Sequence, residues 1–494
     1  MTSATKNSAQ ELAVSPRIEP SELLAVLADR YPGDVRLVDL VRLVDDDSTD
    51  DDTTAILILA SANGYDVLAI NGDPLPLLQN RWPALRAVAV QSSAVQSSAH
   101  LPGESARSND LPGFLSLGDG GTTTWRRLQL AVAVDGDRIV DISTQAGSLT
   151  CGLAQLARHH TYLQLPVLAE GLNEQSPNTC ALATVLGIEA LAQIDPPEAI
   201  QHARVFMAEL ERVHAHCGWL VLQAAACADE ALVNEARHAR ERLAQLFVDV
   251  CGRRRPTGIY LPGRILIDRD PAEAALTAVT KHLTHLIQTA RQSLSGRRGW
   301  RRRLTGVGAV EPGDVVERML SGPLARASGV AIDVRRHTPY LTYDQFDFDL
   351  SVRTEGDVVD RCEVRLDEMA QSLLLAQRAL AASQGPLQID DLRIAPPETP
   401  ASTAQMIHHF EMWMEGHGLQ PKPGAEAFVA VEAPEGELGI LLQSDGSGKP
   451  SKIHWRSPSH YHYQLLPRLL MGQCFDDAFD LLASINLNAA EMDQ

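Results

Sequence analysis

Paired cysteines, an excess of positive charge and long apolar runs are all missing from this chain of 494 residues. The seven cysteines are Cys151, Cys180, Cys217, Cys227, Cys251, Cys362 and Cys474. Their number is odd and none forms a CxxC pair, so reduced, mostly buried thiols of a cytoplasmic protein are expected rather than a disulfide framework. Lys and Arg total 43 against 63 Asp and Glu, a formal net charge of -20. Such an excess of carboxylate disfavours nonspecific binding to nucleic acid or anionic lipid. No stretch of about 18 uninterrupted apolar residues occurs, so no membrane span is expected. The first residues, MTSATKNSAQEL, carry no apolar segment behind a basic start, and a secretory signal is not expected.

What is present is a globular composition, 45% hydrophobic, on a chain long enough for two or three domains. Residues 1–19 read as a disordered lead. Residues 20–89 read as a small α/β module, with strands at Thr54 to Ala60 and Tyr65 to Ile70 and a solvated acidic loop at 45–52. The repeated QSSA and the Ser/Pro/Gly content of residues 90–113 mark a linker. A larger domain, 114–494, follows.

That domain opens with a hairpin, Leu128 to Val134 and Ile139 to Ile142, turning at Asp135-Gly136. Phe206, Leu210, Val213 and Cys217 recur at helical spacing. So do Leu232, Ala236, Ala239, Leu243, Leu246 and Val250, with Gly252 as a stop. Asp270, Pro271 and Glu273 form a capping-box pattern ahead of the stripe Leu276, Val279, Leu283, Leu286. A fourth helix starts near Asp357 and carries Val359, Cys362, Leu366, Met369, Leu373 and Leu380. Strands at Glu426 to Ala433 and Glu437 to Leu442 flank the turn Pro434-Glu435-Gly436, and one final helix is expected from about Tyr463 to Ile485. These patterns predict an α+β fold, a helix bundle with flanking antiparallel β elements.

Three phrases carry a family resemblance: RLTGVGAVEPGDVVERMLSGPLARASGVAIDVRRHTPY (303–340), YDQFDFDLSVRTEGDVVDRCEVRLDEMAQSL (343–373) and VEAPEGELGILLQSDGSGKPSKIHWRSP (431–458). In this order they resemble the large subunit of membrane-bound, energy-converting nickel–iron hydrogenases and the quinone-site core subunit of respiratory complex I. The finer arrangement this resemblance implies is a central helix bundle with antiparallel β elements at both ends. HHTYLQ (159–164) and ARVFMAELERVHAH (203–216) are weaker echoes. The module at 20–89 resembles, through PLPLLQNRWPALRA, the partner subunit that such hydrogenases carry fused ahead of the large one.

A nickel–iron centre needs soft thiolates, which the hydrogenase family supplies as two CxxC pairs. The resemblance sets Asn173 and Ser176 at the first pair, Asn488 and Glu491 at the second. Neutral oxygen and nitrogen donors do not replace bridging thiolates, so no metal is expected on this chain. The complex I resemblance puts Glu174 where a quinone-contacting tyrosine stands, and Glu435 where an arginine is usual. The loop 117–125 lacks the partner histidine. Glu174 and Glu435 are therefore the cavity candidates, and a new acid there should raise neighbouring carboxylate pKa values or require a new cation. The resemblance implies a non-hydrogenase core subunit on the cytoplasmic face of the cell membrane. It implies an iron–sulfur partner subunit, membrane-arm subunits, no nucleic acid and no cofactor on this chain; as an alternative it implies a subunit of an NADH dehydrogenase-like complex that binds and reduces a quinone or another acceptor. The other alternative is a non-redox scaffold of an ion- or bicarbonate-translocating complex.

Three histidine pairs, His214/His216, His282/His285 and His460/His462, read as core or surface residues rather than metal ligands. The basic cluster Arg297 to Arg303 reads as a docking surface for an acidic partner subunit or lipid headgroups.

Overall fold

A computed structural model describes residues 18–19, 22–23, 25–27, 36–43, 54–61, 64–71, 78, 114–117, 129–145, 152–295, 299–391, 393–394, 402–415 and 417–492. The lead to residue 17, the acidic run 45–52, the linker 90–113 and most of the loop 117–125 lie outside these residues. So do the PLPLLQNRWPALRA segment apart from Leu78, and Arg297 and Arg298 of the basic cluster.

The periodic stripes of the sequence close into a ring of four helices. α2 (Glu198–Ala226) packs on α3 (Glu230–Cys251), α3 on α4 (Ala272–Ser295), α4 on α5 (Val358–Ala382), and α5 back on α2. Two of these helices carry side-chain caps. Asp229 caps α3 by accepting from Leu232 N at 3.1 Å, and Gly252, at φ 71°, ends it in the left-handed region. Asp357 caps α5 by accepting from Asp360 N at 2.9 Å. α1 (Pro177–Ala192) precedes the ring and is buried nearly all round. It lies against the sheet of β7 (Glu426–Glu432), β8 (Glu437–Ser444) and β9 (Pro450–Arg456), which pair antiparallel. Gly187 permits that approach, because a Cβ there would stand 3.0 Å from Ile440 and 3.1 Å from Leu442.

The first sheet, β1 (Arg36–Leu43), β2 (Thr54–Ser61) and β3 (Gly64–Asn71), is antiparallel. Its apolar runs are explained by two-sided burial. Ile56 and Ile58 of β2 join the core of the bundle and C-terminal sheet, while Ala55, Leu57 and Leu59 join a second core. That second core also holds the hairpin β5 (Gln129–Asp135) and β6 (Arg138–Gln145), which pairs further with β4 (Phe114–Leu117), and the C-terminal helices. Polar clasps fasten the first sheet to the rest. Arg36 meets Glu437 at 2.6 Å, Tyr65 donates to Glu437 at 2.7 Å, and His454 meets Asp39 at 2.7 Å.

One expected element is corrected. The single final helix is three: Pro458–Tyr463, Leu466–Leu470 and α6 (Phe475–Ile485). Pro467 lacks the N–H that a continuous helix needs, and Gly472 turns the chain at φ 78°. Among the described residues no helix is long and apolar enough to cross a membrane.

Candidate functional site

Asn173 starts the site by folding its own backbone. Its side-chain oxygen accepts from Gln175 N at 2.9 Å and from Ser176 N at 3.1 Å, a local turn that delivers the chain into α1 at Pro177. The same turn sorts the side chains. Asn173 and Ser176 point inward and are fully buried, whereas Glu174 between them faces solvent. Glu174 thus departs from the expected cavity position; its backbone carbonyl accepts from Arg255 at 2.7 Å.

The other wall comes from two distant segments. The turn between β7 and β8 presents Glu435, pressed from behind by Gly322, where a Cβ would lie 2.4 Å from the Glu435 carbonyl oxygen. The tail after α6 brings Asn486, Asn488 and Glu491. Arg365 of α5 ties both segments together, donating to Pro434 O at 3.3 Å and to Ile485 O at 3.1 Å. All four positions that the hydrogenase resemblance assigns to thiolates are therefore buried, and Asn173 and Ser176 among them reach Glu435.

The hydrogen bonds show how these side chains are joined. Asn173 Nδ2 donates to Glu491 at 2.7 Å and to Glu435 at 3.3 Å, so one amide bridges two carboxylates. Ser176 Oγ donates to Glu435 at 3.3 Å, and Asn486 Nδ2 does so at 3.5 Å. Ser459 N donates to the second oxygen of Glu491 at 3.2 Å, and Asn488 N donates to Ser459 Oγ at 3.1 Å. Asn488 Nδ2 is buried with no hydrogen-bond partner among the described residues. Burial, then the charge of Glu435, pushes Glu491 up to about 8; burial also raises Glu435, opposed chiefly by Arg365. The pocket therefore holds a proton at neutral pH. Cys180 lies within the field of both acids, and burial holds its thiol well above the ordinary range. These side chains do not fit a nickel–iron centre: no cysteine stands at the four positions, and their polar atoms mostly satisfy one another. Among the described residues no group of three or more His, Cys, Asp or Glu side chains is placed to hold a metal ion.

Two charged clusters beside the pocket escaped the sequence reading. Glu211 of α2 accepts from Asn178 N at 2.9 Å and Thr179 Oγ at 2.8 Å, so it caps α1 from another helix. Burial lifts it to about 7 against those bonds. Further along, Glu209, Asp333, Glu368 and Glu432 interleave with Arg212, Arg326 and Arg335. Arg326 reaches Glu368 and Glu432, each at 2.7 Å, and Asp333 at 3.3 Å; Arg335 reaches Glu209 at 3.1 Å and Asp333 at 2.7 Å. The only advance signal was charge embedded in apolar stripes, such as Glu211 beside Leu210 and Arg365 beside Leu366.

The remaining candidates take separate places. His214 packs edge-on to Phe247 at 5.7 Å, and His216 donates to Glu368 at 2.9 Å. His285 pairs with Glu235 at 2.6 Å on an exposed flank. His460 and His462 share the short helix Pro458–Tyr463. In the basic cluster, Arg301 bonds Glu363 and Arg303 pairs with Asp480 at 2.6 Å.

Residues 231–494 match the family model described as the respiratory-chain NADH dehydrogenase 49 kDa subunit. The chain is 33% identical over 388 residues to an NADH-quinone oxidoreductase subunit of Roseiflexus sp. (strain RS-1), covering 77% of this chain and 92% of that one. It is 33% identical over 390 residues to the corresponding NADH-quinone oxidoreductase subunit of Herpetosiphon aurantiacus, with 77% and 91% covered. To that of Burkholderia vietnamiensis it is 32% identical over 399 residues, with 74% and 95% covered.

Proposed function

The chain belongs to the family of the respiratory-chain NADH dehydrogenase 49 kDa subunit, and from that premise we propose that it is a core subunit of a membrane-associated, complex I-like assembly with no metal chemistry of its own. It sits peripherally on the cytoplasmic face of the membrane, between an iron–sulfur subunit that brings electrons and the membrane-arm subunits. The module before residue 90 takes the place of a fused partner subunit. One observation carries the reading: Asn173, Ser176, Asn488 and Glu491 are buried oxygen and nitrogen side chains, of which Asn173 bridges Glu435 and Glu491, Ser176 donates to Glu435, and Asn488 is tied to Glu491 through Ser459. These bonds join α1, the β7–β8 turn and the C-terminal tail at one point. Native pull-down of the full chain with metal analysis tests this. Co-purifying cysteine-rich cluster subunits without stoichiometric nickel is expected; nickel and iron at one each per chain overturns it.

A second reading has one observation in its favour. The proton-holding Glu491 is flanked by the donors Asn173 Nδ2 at 2.7 Å and Ser459 N at 3.2 Å, an acid and donors of the kind a quinone carbonyl takes during reduction. In that case Glu491→Gln abolishes acceptor reduction by the assembled complex while leaving assembly intact.

A further inference from the structure

One face of α2 carries Arg212, His216, Trp219 and Gln223 at spacings of four, three and four, all buried to 2% exposure or less. Each has a polar atom with no hydrogen-bond partner among the described residues: Arg212 Nη1, His216 Nδ1, Trp219 Nε1 and Gln223 Oε1. The facing helix α5 adds two more, Arg361 Nη2 and Arg365 Nε, from side chains equally buried. The Arg365 guanidinium lies 5.5 Å from the centre of the Trp219 ring, which locks the two helices' polar groups into one seam. Buried polar atoms without partners are rare in folded proteins, and each loses its hydration without recompense. Six on one seam would rival the stability of a domain. The remedy chemistry offers is internal water, which typically makes about three hydrogen bonds to such groups.

The seam has two distinct ends. At one, Arg212 donates to Glu432 O at 2.6 Å and Arg365 to Pro434 O at 3.3 Å, on the strand end that presents Glu435. At the other, Gln223 donates to Asp480 of α6 at 3.2 Å, and Asp480 pairs with Arg303, whose side chain is 45% exposed. From Arg212 to Gln223 the helix rises roughly 17 Å, the length of a short file of waters.

We propose that the α2–α5 seam holds a file of ordered water that carries protons between solvent at Arg303, by way of the buried Asp480, and the carboxylates of the Glu435 pocket. Each water accepts one proton and releases another, so every O–H bond broken is matched by one formed. Arg212, Arg361 and Arg365 line the file; the neighbouring carboxylates Glu209, Glu368 and Glu432 are shared with Arg326 and Arg335, and Asp480 with Arg303. His216 is neutral, since burial depresses it to about 4, and it presents an acceptor to the file. The thiols of Cys227 and Cys362 flank the outer half and stay protonated. The proposal is independent of which acceptor or partner subunit the assembly uses.

The test is a pH jump on the purified full chain, followed through the infrared carbonyl band of buried protonated carboxyls, the band being assigned by its loss in Glu491→Gln. Gln223→Leu keeps the volume but interrupts the file, and should slow the band's response by about tenfold, equivalent to about 1.4 kcal/mol on the barrier. Trp219→Phe removes one donor and should slow it less. An unchanged rate in both variants overturns the proposal. If neither folds, a high-resolution crystal structure of the unaltered chain decides: ordered waters on Arg212 Nη1, Trp219 Nε1 and Arg365 Nε support it, and a dry seam overturns it.

Discussion

Two buried charged regions lie side by side in this molecule and solve the same electrostatic problem differently. In the lattice of α2, α5 and the segment around Arg326, four carboxylates face three guanidiniums. Despite burial, which alone would raise them, Glu209 is held low by Arg212 and Arg335, and Glu368 by Arg326 and His216. Only Glu432 is left over, raised to about 7 by burial and by Asp333. In the pocket, two carboxylates face amides, a hydroxyl and one guanidinium, Arg365, that is bonded to carbonyls rather than to either acid. There the charge is removed by a proton. Burial is equal in both places, so the difference lies in the partners: cations keep acids ionised, whereas amides leave them to protonate.

The largest expected effect comes from breaking the cation-balanced side. Arg326→Met leaves Glu368, Glu432 and Asp333 facing one another without their shared fork, and removal of one partner from a buried pair costs about 3–5 kcal/mol. Urea unfolding should show that loss at neutral pH, with partial recovery on acidification. A loss no larger than that of an exposed pair would mean the lattice is not what holds α5 to the β7 strand. The proton-balanced side makes the opposite prediction with pH. Glu491 titrates near 4.5 when unfolded and at about 8 in the fold, so the folded chain binds the extra proton between those values. Its contribution is full below the lower value, falls as pH rises, and is gone above the upper one. Glu491→Gln should flatten the fall in stability between pH 5 and 8 by on the order of 3–5 kcal/mol. An undiminished slope in thermal melts across that range would show that the pocket acid is ionised throughout.

The same contrast explains what could be read in advance. The ring helices α3, α4 and α5 were legible because each buries one stripe and wets the other, and that alternation is written at the spacing of Leu232, Ala236 and Ala239. α1 was not, because a helix buried on every side has no stripe; Pro177 to Ala192 reads as an apolar run without period. β9 was missed as well: Pro450, Ser451 and Lys452 look like the continuation of a turn, and only pairing with β8 makes them a strand. The four thiolate positions and Glu435 could be named from their phrases. That Asn173 would bridge Glu435 to Glu491 could not, because the partners lie 262 and 318 residues away. Glu174 misled for a local reason, since a single Asx turn reverses which of two neighbours faces inward. Glu211 and Arg365 stayed hidden because a charge inside a stripe reads equally as an exposed flank.

The smallest expected effect sharpens the comparison by removing burial altogether. Arg254 pairs with Glu241 at 2.5 Å, a separation as short as any in the lattice, but the two side chains are 57% and 61% exposed. Water solvates either partner when the other is removed, salt screens their attraction, and ordering two long side chains offsets what remains. Arg254→Ala should therefore leave the thermal midpoint where it is, at low and at high salt, while Arg326→Met moves it under both conditions. A clear salt-dependent drop for Arg254→Ala would show that short contact, rather than burial, sets the worth of an ion pair in this fold, and the contrast between the lattice and the pocket would then have to be rebuilt on distance.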